Sequence, residues 1–199
     1  MPDRKAPALS GCALLQNVTA RAHRTLEAHP LLAALMRDAV REETYSRVLQ
    51  AFAAYHAMWE PAVFEALETH VGASFLAPRR KLPLIARDLA GLNLPLPEPG
   101  RLGPLTLGEA LGRFYVQEGA TLGGVVIRKH LTRALPSEAR NHMAYFKGYG
   151  SGTAAMWARS CKEIDRLTAR KPVLSAAAAG AQAAFSELGA QIEAMGEAA

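Results

Sequence analysis

Apolar residues recur along this chain at intervals of three and four, and no stretch of useful length alternates with period two. Residues three or four apart share one face of a helix, so the pattern predicts helices throughout. The first is expected from Leu9 to Ala28, with Leu14, Leu15, Val18, Ala22 and Leu26 inward. Pro30 ends it, because the residue before a proline avoids helical geometry. A short helix, Leu31–Arg37, precedes a long one over Glu42–His70, whose core stripe includes Tyr45, Val48, Phe52, Trp59, Val63 and Leu67. Glu42 and Glu43 suit its positive N-terminal end, and Pro61 is expected to kink or interrupt it. Pro78 is expected to open a helix ending near Gly91. Residues 92–104 hold four prolines and two glycines and read as a loop. Neither side would own a complete core, so the loop is a connection within one domain. Helices are then expected over Thr106–Ala134, Ser137–Lys147, Gly152–Leu167 and Pro172–Met195.

Composition agrees with that pattern. Half of the 199 residues are apolar, enough for one sizeable core. Alanine and leucine dominate and only 7% are aromatic, which favours helix over sheet. The expected architecture is all-α and multihelical, a single domain over 9–199 behind a disordered leader, 1–8. The net charge of +5 is spread along the chain, and its densest run is Arg79-Arg80-Lys81. No zinc-finger, RNA-binding or basic-zipper pattern accompanies it, so nucleic acid is not an expected partner. Solubility, an acidic protein or the carboxylates of a ligand account for the charge. No apolar run is long enough for a secretory signal or a membrane span, and the expected location is the cytoplasm. Cys12 and Cys161 match no metal or redox spacing and are expected as free thiols in a reducing compartment.

The segment from Tyr115 to Gly124 is the least ordinary. Gly119 and Gly123 share a helix face, Tyr115 lies one turn earlier on it, and Gly124 follows directly. A glycine inside a helix costs about 1 kcal/mol relative to alanine. Two readings follow: a seam where helices pack closely, or a bare wall approached by something flat and bulky. A phosphate loop is a poor alternative, since the lysine and the preceding strand are both missing.

Six histidines are present, without a His-x-x-x-His or Glu-x-x-His pair. His23 is the best placed, with small neighbours Ala20 and Ala22 and with Glu27 four residues on, on the same face. A carboxylate there can accept the second ring N–H and orient the imidazole as a metal ligand. An ordinary surface His–Glu pair has the same sequence. One histidine facing one glycine-lined helix suits haem, a flat ligand that needs a single histidine.

Several stretches carry a family resemblance: Thr19 to Glu27, Tyr55 to Glu60, Arg79 to Leu84, Phe114 to Gly124, Phe146 to Gly150, and on through Thr153 to Trp157. In this order they resemble the bacterial biliverdin-producing haem oxygenases, particularly those found beside bacteriophytochromes. The resemblance implies a helical bundle with haem b between a proximal and a distal helix. His23 falls at the iron ligand, Glu27 at a carboxylate near it, and Gly119, Gly123 and Gly124 at the distal glycines. Gly119 and Gly123 would act catalytically by tilting bound O2 toward the ring edge. Tyr115 falls where related enzymes have a tyrosine near the propionates. The propionate-binding bases remain open among Arg21, Arg128, Lys129, Arg133 and Arg159. The implied reaction consumes O2 and electrons from an external, ferredoxin-type donor. It yields biliverdin, CO and iron, with a bacteriophytochrome as a possible biliverdin acceptor. Ala120 departs from members that carry an aspartate there. It leaves open a non-catalytic haem carrier, beside a haem-free helical interaction module.

Overall fold

Helix α1 spans Gly11–Glu27 and starts where Ser10 accepts a hydrogen bond from the Ala13 amide at 3.3 Å. The computed structural model describes residues 9–98, 100 and 102–197, so the leader expected over 1–8 lies outside the described residues. Helix α2 (Pro30–Ala33) runs into a 3-10 turn, Ala34–Met36. Helix α3 (Glu42–Val71) continues through Pro61, so of the kink or interruption expected there the interruption does not occur. Pro61 is solvent-exposed there, while Trp59 and Val63 on either side stay in the core, so packing holds the helix together across the missing N–H.

Helix α4 (Ala73–Leu76) and a 3-10 turn, Ala77–Arg79, occupy the place where Pro78 was expected to open a helix. Helix α5 (Leu82–Gly91) starts later, with Pro83 in its first turn, where the absent N–H has no intrahelical partner to lose. The proline-rich loop leads to helix α6 (Leu107–Ala134), which Thr106 and Glu109 open with a reciprocal capping box. The helix expected over Ser137–Lys147 does not form. Two 3-10 turns, Ala139–Asn141 and Tyr145–Lys147, stand there instead. Between them the Asp88 carboxylate accepts the amides of Ala144 and Tyr145, both at 2.8 Å, and so diverts the bonds a helix would use. Helices α7 (Thr153–Leu167) and α8 (Lys171–Glu197) complete the fold, and no strand occurs among the described residues.

Helix α8 is the central post, in contact with α1, α3 and α6. Its alanine run makes a smooth ridge, and α6 sinks onto it through Gly108 and Gly112. A methyl on Gly108 would stand 2.6 Å from the Val173 carbonyl, and one on Gly112 would overlap the Ala177 carbonyl. Beyond this seam Arg113 makes a two-pronged ion pair with Glu187 of α8.

The start of α1 docks on α7. Asp165 accepts the Cys12 amide at 2.7 Å, and Cys12 is disulfide-bonded to Cys161 with the Cα atoms 5.5 Å apart. That corrects the expectation of two free thiols. The pairing joins helices 149 residues apart in sequence, and no local spacing announces such a partner. Among the described residues no helix is long and apolar enough to cross a membrane.

A candidate cleft between α1 and α6

Two sets of contacts establish how α1 and α6 lie. At one end the Tyr115 hydroxyl hydrogen-bonds with the side chain of Thr19. At the other, beyond the end of α1, the Arg37 carbonyl meets His130 Nε2 at 2.7 Å, and the Val40 amide donates to the Ala134 carbonyl at 2.9 Å. The two helices therefore run in the same direction. His23 lies four residues past Thr19 and Gly119 four past Tyr115, a rise of about 6 Å on each helix. The histidine and the glycine come to the same height on facing walls.

The His23 side chain is 56% exposed and keeps its Nδ1 3.2 Å from the Glu27 carboxylate. Its ring stands edge-on to Phe185 of α8, centroids 5.9 Å apart. A carboxylate acceptor at Nδ1 favours the tautomer with the proton there. Nε2, with its lone pair, then has no partner among the described residues.

On α6, a methyl on Gly119 would meet only the Trp157 ring, at 3.7 Å, and one on Gly123 would meet nothing within 4 Å. At these two glycines α6 does not press on the backbone of another helix. Gly124 turns inward and rests over Phe146. The Tyr115 ring tilts against Trp157 at 5.6 Å, and burial pushes its phenol pKa up while the Thr19 bond opposes this. Arg21, Lys129, Arg133 and Arg159 are exposed, whereas Arg128 is half-buried with Nε lacking a hydrogen-bond partner.

Behind the glycine wall lies a buried polar cluster. Glu118 bonds to Tyr149 through one oxygen, and through the other to Ser160 at 2.8 Å and Arg79 at 3.3 Å. Gln117 donates to the Arg79 carbonyl at 2.7 Å. Lys81 lies over the Tyr149 ring at 3.9 Å, and burial lowers its pKa to about 8 against the pull of Glu118 and Glu60. Further on, His56 bonds to Tyr145 at 3.1 Å and approaches Glu60, yet burial keeps its pKa below the usual value.

Of the residues expected from sequence, His23 and Glu27 are in contact, and Gly119 and Gly123 face open space. Sequence reasoning missed Phe185, Trp157 and the Glu118 cluster, whose members are brought together only by folding. A separate cleft of about 730 Å³ lies beyond the end of α1, and neither His23 nor the glycine wall lines it. There His29 pairs with Glu193 at 2.7 Å and Arg47 with Glu43 at 2.9 Å. No group of three or more metal-ligating side chains occurs among the described residues.

The fold and site thus define an all-helical bundle with one histidine opposite a bare glycine wall. No family profile matches the chain. Its sequence is 29% identical over 158 residues to a protein named heme oxygenase from Xanthomonas campestris pv. campestris (strain 8004), covering 78% of this chain and 93% of that one. The heme oxygenase of Leptospira interrogans superposes with a TM-score of 0.72 at 16% identity, over 92% of this chain and 98% of that one. Heme oxygenase-1 of Synechocystis sp. PCC6803, solved in complex with heme, gives a TM-score of 0.69 at 12% identity, over 93% and 91%. The NO- and CO-bound heme oxygenase of Neisseria meningitidis gives 0.65 at 18%, over 94% and 92%. The chain is thus similar in sequence to one heme oxygenase and shares the all-helical fold of three others.

Proposed function

We propose that this protein is a cytoplasmic haem oxygenase that holds haem b between α1 and α6 and opens the ring to biliverdin, with release of CO and iron. The observation that carries this reading is the pairing of a free His23 Nε2 with a wall of backbone at Gly119 and Gly123. His23 is the iron ligand. Glu27 keeps its proton on Nδ1 and raises the basicity of Nε2. The edge of Phe185 limits rotation of the imidazole.

On the opposite side, Gly119 and Gly123 present no side chain, so that backbone would stand close to a bound haem and leave space for a diatomic molecule. Gly124 contributes by fixing the turn that follows, through its seat on Phe146. Tyr115, packed against Trp157, would hold the propionate edge of a bound haem. Bound haem supplies the iron that takes O2, and its own ring is the group oxidised. The chain's residues orient the ring, restrict access and hold water near the glycine wall.

The scattered basic side chains serve two ends. Those nearest the cleft, among Arg21, Arg128, Lys129, Arg133 and Arg159, meet the propionates through charge-assisted bonds. The rest suit an acidic, ferredoxin-type electron donor. The biliverdin serves as a bilin chromophore, with a bacteriophytochrome as acceptor, or is the by-product of iron release.

Hemin titration of wild type and His23→Ala, followed by ascorbate under air, tests the reading. A histidine-type Soret band is expected in the wild type and not in the variant, and then bleaching to a biliverdin band. Stable His23-dependent binding without bleaching by several donors would make the protein a carrier. No hemin uptake by the wild type would remove haem from its function.

A further inference from the structure

The glycine wall has little to hold it from the cleft side. A methyl on Gly119 would meet only the tip of Trp157 and one on Gly123 nothing within 4 Å, and glycines loosen a helix where they occur. What stands directly behind it is a set of directional bonds. Glu118, the residue before Gly119, is fully buried and is gripped by three side chains from three different segments. Arg79 comes from the turn after α4, Tyr149 from the connection before α7, and Ser160 from α7 itself. Gln117 adds a second link to Arg79 through its backbone carbonyl.

Ser160 and Cys161 are adjacent on α7. The first bonds to Glu118 on α6, and the second is joined to Cys12 on α1. Asp165, one turn further along α7, accepts the amide of Cys12. One short stretch of α7 therefore grips both walls of the cleft.

We propose that Glu118 is a positioning residue: through Arg79, Tyr149 and Ser160 it fixes where the Gly119 backbone stands relative to His23. A buried ion pair is a poor source of stability, because desolvation offsets its attraction. Its geometry is strict, however, and strict geometry is what a wall without side chains needs. An apolar residue at 118 would fill the same space and leave α6 free to slide or bow toward the cleft.

The haem-dependent half of this inference rests on the function proposed above, and the experiment separates the two. Glu118→Gln and Tyr149→Phe are compared with the wild type and with Thr106→Ala, which weakens α6 at its cap, far from Glu118. Hydrogen exchange of the amides of residues 119–124 is followed in the ligand-free protein. The ratio of high-spin to low-spin absorption is then read after hemin is added. Both Glu118→Gln and Tyr149→Phe are expected to speed exchange at 119–124 about tenfold or more beyond the change in Thr106→Ala. They are also expected to shift the spin ratio, which Thr106→Ala should leave alone. Exchange and spin ratio indistinguishable from Thr106→Ala would overturn the inference. Should Glu118→Gln fail to fold, Tyr149→Phe, which keeps the ring under Lys81, decides the matter. If the wild type binds no hemin, the haem reading falls, and the exchange rates still decide whether Glu118 positions the wall.

Discussion

Helix α6 carries two glycine pairs at the same four-residue spacing and uses them in opposite ways. Gly108 and Gly112 are pressed into α8 so closely that a single methyl group would overlap backbone. Gly119 and Gly123, less than two turns further on, face almost nothing. In the first pair the missing side chain makes room for another helix. In the second it exposes backbone along a cleft whose other wall carries His23. Spacing alone does not distinguish these uses, and what lies opposite does.

The largest expected effect should spare neither half of α6. Tyr55 lies near Arg113 and Glu187 beside the packed half, and Tyr149 is bonded to Glu118 beside the open half. Burial pushes both phenols, and those of Tyr45 and Tyr145, well above their usual range; Asp88 adds to it at Tyr45, Glu60 at Tyr145 and Glu118 at Tyr149, while Arg113 opposes it at Tyr55. A phenol whose pKa is raised by folding stabilises the fold fully below about pH 10, its unfolded value, and that stability is lost as pH climbs above it. Each such phenol costs about 1.4 kcal/mol per pH unit beyond that point. Urea melts between pH 9 and 11 should show a steep loss, with phenolate absorbance appearing only as the protein unfolds. Phenolate appearing in the folded protein would show that these rings are more open than the structure has them.

Next in size is Gly112→Ala. Its methyl group has no space against Ala177 and Ala181, and neither backbone can yield without parting α6 from α8. Overpacking of this kind should cost about 3 kcal/mol, read from urea unfolding. The smallest effect on stability, and of opposite sign, belongs to Gly123→Ala. There the methyl group enters open space and the helix gains about 0.5–1 kcal/mol of propensity. The same variant should take up hemin more weakly, because the methyl group stands in the cleft. If Gly123→Ala destabilised the ligand-free protein as much as Gly112→Ala, the distinction between the two pairs would collapse.

Much of this architecture is legible in the amino-acid sequence. The bounds of α1, α3, α6, α7 and α8 lie close to those that apolar spacing predicts, although Val18 of α1, expected inward, is exposed and α6 is buried on all sides from Ala110 to Glu118. The stretch 137–147 misleads because its local composition is compatible with helix, and the deciding partner, Asp88, lies more than fifty residues away. The disulfide escapes a sequence reading for the same reason. His23 and Glu27 can be found because they interact within one helical turn, and the glycines because their cost demands a reason. Glu118 gives no signal: a glutamate in a helix is ordinary, and only folding brings Arg79, Tyr149 and Ser160 around it.

Helix α8 is the support on which both cleft walls depend. His23 leans on Phe185, and the packed glycines of α6 lie on the alanine ridge. In the ribosome's order of synthesis, α8 follows every element it supports. A nascent chain that already contains His23 and the whole glycine wall therefore still has no cleft between them. On the function proposed above, competence to take up haem depends on the docking of α8.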